Sequence, residues 1–255
     1  MRRRTVLAAL TGAIFAGCGG GGGAESSPVA GAGTASGAGP ATASSSGGAS
    51  AAGAAPPSAP AADRAPIALW GDSHVTGFAR DPNAPGIAVK LRDLAPGREV
   101  FDGGVEGETS TQIANRQVLD TAHDDWVAVF WYGGNNQTQP DTIKADLARS
   151  IASLAPGNTR FVVVSVTNQA GEARGSANHQ RILELNADLA AQYPLNFLDV
   201  RSHLVALRNP GRPQDVADAA DDVIPSLRAD GVHLNHAGAQ AAASALLAFI
   251  ASKGW

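Results

Sequence analysis

From residue 67 onward the sequence alternates short apolar runs with stretches of helical pattern. The apolar runs fall at residues 67–70, 99–102, 126–131, 161–166 and 196–200, and several are near-continuous in Val, Phe, Ile, Ala and Trp. A strand that is apolar at every position has both faces buried, which requires a parallel sheet covered by helices on each side. Helical stretches at 110–121, 140–154, 178–192 and 237–253 supply those layers; the last is rich in alanine and is stopped by Gly254. The pattern predicts one α/β domain over residues 66–255, a three-layer α/β/α sandwich around a five-stranded, parallel, doubly wound sheet. At 44% hydrophobic, the chain has enough apolar side chains to fill such a core. Residues 208–227 are polar, contain several Asp and Pro, and follow no clear period, so they are expected to form a lid or loop.

The first 65 residues read differently. Arg2, Arg3 and Arg4 precede an apolar run at 6–15, then Ala16, Gly17 and Cys18, the form of a signal peptide over residues 1–18. The run is shorter than the roughly 20 residues that span a bilayer. A cysteine directly after such a run resembles the lipobox of bacterial lipoproteins, which implies lipidation of Cys18 and attachment to a membrane. An ordinary secretory signal is the alternative, and the paired arginines leave open a twin-arginine route. Residues 19–65 are almost entirely Gly, Ala, Ser and Pro, a composition that buries too little to offset its ordering entropy, so a disordered linker is expected. As a flexible coil it would span on the order of 35 to 40 Å, enough to hold a domain clear of a membrane surface. The expected address is exported, either anchored in a bacterial cell envelope or secreted.

Charge and cysteine content remove several functions. The formal net charge is -4, and beyond the leader the Lys and Arg are scattered rather than gathered into a basic stripe, so nucleic acid is not an expected partner. With Cys18 as the single cysteine, neither an intrachain disulfide, a thiolate zinc site nor a CxxC redox pair can form. No metal or organic cofactor is expected, and a monomer is the expected state.

Ligand and catalytic sites of open α/β sheets lie beyond the carboxyl ends of strands, and Gly71, Asp72, Ser73 follows the first predicted strand. Ser73 is a candidate nucleophile there, although the same residues suit an ordinary capped turn. A serine hydroxyl needs a base that is itself oriented by a third group. Asp230 and His233, three apart just before the last helix, offer that pair. His233 with His236 as metal ligands is a competing reading that lacks an obvious third ligand. His74, His123, His179 and His203 show no comparable acidic neighbour, apart from Asp124 directly after His123. Two glycine-rich segments at predicted strand ends, 102–109 and 133–136, could carry backbone or amide donors for an oxyanion, or could be simple turns.

Taken in order, these four segments resemble the SGNH (GDSL) hydrolase superfamily over essentially the whole span from residue 67 to the last helix. The resemblance implies a flavodoxin-like sheet of the SGNH type. It also implies a catalytic triad of Ser73, Asp230 and His233, with an oxyanion hole from the Ser73 and Gly107 backbone and the Asn135 amide. Two positions depart from the family pattern: Asn136 stands where Asp is usual, and His74 where an aliphatic residue is usual. The implied activity is hydrolysis of a carboxylic ester through an acyl-serine, on a small-molecule or glycan ester, with a short acyl group such as O-acetyl favoured. Lipase, thioesterase or acyltransferase activity on the same fold, and a non-catalytic surface-displayed binding lipoprotein, are the alternatives. Trp70, Trp131 and Tyr132 flank two of the motifs and could stack on a sugar, but their strand-end positions favour the core.

Overall fold

The computed structural model describes residues 64–255. The expectations for the leader, for Cys18 and for nearly all of the linker lie outside the described residues. In chain order the elements are β1 (Ile67–Gly71), α1 (Ser73–Thr76), α2 (Ile87–Leu94), β2 (Val100–Gly104), α3 (Ser110–Gln117), β3 (Val127–Trp131), α4 (Pro140–Ala152), β4 (Phe161–Val164), α5 (Ala177–Gln192), β5 (Phe197–Leu198), α6 (Val200–Ala206), α7 (Pro213–Ala220) and α8 (His236–Ser252). The five strands pair in parallel in the order β2-β1-β3-β4-β5. This is the doubly wound α/β sheet that the apolar runs predict.

Period-two alternation divides each central strand between two cores. Ile67 and Leu69 of β1, with Val127, Val129 and Trp131 of β3, pack on the side of α2, α6 and α8. Ala68 and Trp70, with Ala128, Phe130 and Tyr132, pack against α3, α4 and α5 on the other side. All five residues of β1 and all five of β3 are buried, as a strand with helices on both faces requires. Trp70, Trp131 and Tyr132 are therefore core side chains; the Tyr132 hydroxyl lies 2.9 Å from Ser150 Oγ inside the second core.

The structure corrects the sequence reading in three places. Residues 208–227 are not all loop, because α7 begins at Pro213, whose fixed φ suits a first helical turn. Only Asp215 of that helix is buried, where its Oδ2 accepts hydrogen bonds from Asn209 N and Ser226 Oγ at 3.0 Å each. An inward-facing acid gives no apolar periodicity to read. The last strand is shorter than 196–200, since the Asp199 side chain accepts from Ser202 N and starts α6. Finally, α2 buries Ile87, Ala88 and Leu91 in one core; at 8 residues it is too short to stand out by period.

Candidate active site

Strand register assembles the site. Gly71 at the end of β1 is level with Gly104 of β2 and Trp131 of β3, so the segments that follow all three strands leave the sheet side by side. These segments carry Ser73, Gly107 and Asn135. Ser73 starts the single turn α1, capped by Asp72, whose Oδ1 accepts from His74 N at 2.9 Å. The fourth segment arrives from the far end of the chain. Arg228 and Leu234 form an antiparallel bridge, and Ala229 N donates to His233 O at 2.8 Å, closing a tight loop over Asp230–His233. Asn235 then caps α8 through Gly238 N, and its amide donates to Ser226 O at 2.8 Å.

This folding brings Ser73, His233 and Asp230 into one hydrogen-bonded line. His233 Nε2 is 3.1 Å from Ser73 Oγ, and Nδ1 is 2.7 Å from Asp230 Oδ2. A carboxylate only accepts, so the ring proton sits on Nδ1 and Nε2 is the acceptor facing the serine. Asp230 is held in turn by the backbone N–H groups of Val232 and His233, at 2.7 and 2.6 Å. Partial burial opposes its charge, but the His233 ring and these two amides outweigh burial and bring its carboxyl down to about 2.

The expected oxyanion donors line the same cleft, a cavity of about 360 Å³ that also exposes Phe78, Arg80, Glu106, Gln169 and Val232. Gly107 has φ +76°, and a Cβ built there would meet nothing within 4 Å, so its backbone faces open space. Its N–H has no partner among the described residues. Asn135 is more constrained: its Nδ2 donates to Asp72 Oδ2 at 3.1 Å and to Glu108 O at 3.0 Å. Both amide hydrogens are thereby engaged, and donation to an oxyanion requires sharing the one directed at Glu108 O. Gly134 allows this approach, since a Cβ there would lie 2.3 Å from Asp72 Oδ2.

The histidines are better supplied with acids than the spacing indicated. His123 Nδ1 lies 2.9 Å from Asp120, His179 Nε2 lies 2.8 Å from Asp222, and His74 Nδ1 lies 3.1 Å from Asp72. Asp120 and His123 even repeat the three-residue spacing of Asp230 and His233, but that ring is packed between Phe101 and Trp126, away from Ser73. His236 does not join His233 in a metal pair, because its Nε2 donates to Pro82 O at 3.1 Å. Among the described residues no three His, Cys, Asp or Glu cluster as metal ligands.

Asn136, one of the two departures from the family pattern, is buried and bonded. Its Oδ1 accepts from Ser110 N at 3.1 Å and its Nδ2 donates to Ser110 Oγ at 3.0 Å, while that hydroxyl donates to Asp146 Oδ2 at 2.7 Å. Sequence reasoning missed Phe78, whose ring stacks on His233 at 4.4 Å between centroids and 7° between planes. A lone aromatic in the loop after α1 carries no periodic signal. The loop is tied down by Phe78 N to Ala84 O at 2.9 Å and by Ala79 N to Glu106 Oε1 at 2.5 Å.

The sequence matches the model of the GDSL-like Lipase/Acylhydrolase family over residues 69–241. No curated relative matches it. Similar solved structures include a lipase/acylhydrolase from Enterococcus faecalis, 18% identical with TM-score 0.57, covering 74% of this chain and 96% of that one. A GDSL-like lipase from Bacteroides thetaiotaomicron is 19% identical with TM-score 0.54, over 73% and 88% of the two chains. An acetyl xylan esterase, AlAXEase, is 16% identical with TM-score 0.55, over 71% and 98%. At these identities the likeness is one of fold.

Proposed function

Because the chain belongs to the GDSL-like lipase/acylhydrolase family, and is thus an ester-hydrolysing enzyme, we propose that it cleaves short-acyl carboxylic esters through an acyl-Ser73 intermediate. The observation that carries the residue assignment is the 3.1 Å approach of His233 Nε2 to Ser73 Oγ, backed by Asp230 at 2.7 Å. In the proposed cycle His233 takes the hydroxyl proton as Ser73 Oγ attacks the carbonyl carbon. The oxyanion is met by the backbone N–H groups of Ser73 and Gly107 and by the Asn135 amide. The tetrahedral intermediate collapses with His233 returning the proton to the leaving alcohol. Water, deprotonated by the same imidazole, then attacks the acyl-serine, and His233 passes that proton to Ser73 Oγ as the ester bond breaks and the acid leaves.

The lining of the cleft favours a short acyl group. Phe78 and Val232 are its apolar side chains, against the polar Ser73, Arg80, Glu106, Asn135, Gln169 and His233. Each buried methylene of a long chain is worth about 0.8 kcal/mol only where apolar wall replaces water, and the apolar side chains available for that are these two. An O-acetyl ester on a glycan is the favoured natural substrate; likeness in fold to an acetyl xylan esterase is consistent with it. With the aromatic side chains of β1 and β3 committed to the core, the aromatic ring that lines the cleft is Phe78, stacked on His233, and a sugar would meet Arg80, Glu106 and Gln169 by hydrogen bonds.

A fluorophosphonate serine probe tests the nucleophile. The full-length chain should be labelled and Ser73→Ala should not. Undiminished labelling of the variant, or no labelling of the folded parent, would sink the assignment and favour a binding protein. Aryl esters from acetyl to long-chain test the substrate: turnover should fall steadily with acyl length, and a long-chain preference overturns the short-acyl reading. Adding an alcohol acceptor separates hydrolysis from acyl transfer by its products.

A further inference from the structure

His74 is a buried polar side chain that the proposed cycle does not use. It is 7% exposed and directly follows Ser73. Its ring lies against Trp131, with centroids 5.1 Å apart, and 6.4 Å from the His233 ring. Nδ1 is 3.1 Å from Asp72 Oδ1, and Nε2 is 3.4 Å from Thr167 Oγ1. Since a carboxylate accepts and a hydroxyl can donate, the ring carries its proton on Nδ1 and receives the Thr167 hydroxyl at Nε2. Asp72 is 1% exposed and accepts three N–H groups: the backbone and ring of His74 on Oδ1, and the Asn135 amide on Oδ2. A line of hydrogen bonds thus runs beneath the nucleophile, Thr167 to His74 to Asp72 to Asn135, from the segment after β4 to that after β3.

We propose that His74 is a positioning residue that orients the Asn135 amide through Asp72. The physical reason is the burial of Asp72. A carboxylate cut off from water needs its oxygens met by donors, and an unmet lone pair is satisfied by turning toward whatever donor is near. With the imidazole N–H and the His74 backbone N–H on Oδ1, the Asp72 plane is set and Oδ2 is left to Asn135. Acceptor-only Oδ2 admits only the amide nitrogen, so Asn135 cannot flip to present its carbonyl to the cleft. An aliphatic residue at 74 would fill the space without this second donor, leaving Oδ1 held by the backbone N–H alone, the Asp72 plane less firmly set and the Asn135 nitrogen less well placed. The proposal rests on Asn135 acting as an oxyanion donor.

The test is steady-state hydrolysis of 4-nitrophenyl acetate by the full-length chain and a double-mutant cycle between positions 74 and 135. Loss of an oxyanion donor costs about 100- to 1,000-fold, and His74→Leu should forfeit about 10-fold of it in kcat while leaving KM within about twofold. On an Asn135→Ala background the same substitution should cost less than about twofold, since the group it positions is gone. His74→Asn, which keeps an N–H at the place of Nδ1, should recover most of the loss. Asp72→Asn is a second probe that leaves His74 in place: its NH2 would face the Asn135 nitrogen, donor against donor, and should show the same non-additivity. Equal costs in both backgrounds, a change confined to KM, or no recovery by His74→Asn overturns the proposal. Full activity in Ser73→Ala instead overturns the acyl-serine reading itself, so the two failures are distinguishable.

Discussion

Asp230 does two jobs that separate under mutation. Its carboxyl is brought to about 2 against an ordinary 3.8, so as pH falls the unfolded chain takes up this proton first. Its stabilising contribution is therefore complete above about pH 4 and decays between the unfolded value and pH 2. Asp230→Asn should lower the urea midpoint at pH 7, where that contribution is complete, and flatten its fall over the acid interval, so that variant and parent converge toward pH 2. Hydrolysis should drop on the order of 10³- to 10⁴-fold, because an amide at this position no longer selects the ring tautomer that faces Ser73. Phe78 acts by shape instead. Face-on packing of this kind is worth about 0.5–1.5 kcal/mol, so Phe78→Ala should lower kcat/KM by about 2- to 10-fold as the His233 ring loses its support. Asn136 shows how a departure from the family pattern is accommodated: its NH2 meets a hydroxyl whose single proton already goes to Asp146. Asn136→Asp would set two carboxylates against that one hydroxyl, and should destabilise the fold by about 1–3 kcal/mol in denaturant titration.

At the scale of elements, the site depends on close approach between segments that follow different strands. The turn after β3 reaches Asp72 only because residue 134 lacks a side chain, its built Cβ lying 2.3 Å from Asp72 Oδ2. Gly134→Ala should push the two segments apart. The expected outcome is a loss of activity larger than the loss of stability, seen as a kcat reduction of at least about 10-fold with a melting temperature lowered by only a few degrees. Short helices were the elements hardest to read in the sequence. In α7 the residue directed inward is Asp215, satisfied by Asn209 N and Ser226 Oγ, and the pattern of polar residues resembles a loop. In α2 two turns of helix offer too few apolar positions for a period to emerge. The long central strands were legible because burial on both faces leaves no room for a polar residue.

Across the whole molecule, one buried cluster ties the C-terminal half of the sheet to the loop that carries Asp230 and His233. Arg201 at the start of α6 donates to Asp222 Oδ2 at 2.6 Å and to Asn168 Oδ1 at 3.0 Å, and His179 of α5 reaches the same Asp222 oxygen. Burial opposes the Asp222 charge, yet the bonds from Arg201 and His179 prevail and hold its carboxyl below the ordinary value. Asn168 leads into the segment where Ala170 N donates to Gly231 O at 2.7 Å, inside the Asp230–His233 loop. Arg201→Met strands Asp222 without its cationic partner and should cost about 3 kcal/mol or more in unfolding free energy, measured by denaturant titration. Part of the effect should also appear as lost turnover at temperatures where the variant remains folded.

What the sequence determined by itself was whatever depends on near neighbours. Apolar runs of strand length and the helical stretches between them specify a parallel sheet buried on both faces, and glycines and capping residues mark the turns beyond the strand ends. Which turns meet was decided only by the tertiary structure. Asp120–His123 and Asp230–His233 have the same spacing and the same Asp–His hydrogen bond, so nothing local distinguishes them. The parallel register that levels Gly71 with Gly104 and Trp131, and the packing of α8 that returns the chain across 160 residues, put the second pair beside Ser73 and leave the first against Phe101. The line from Thr167 through His74 and Asp72 to Asn135 is of the same kind. Its members come from three separate segments, and a hydrogen bond between them exists only once the sheet has set their distance.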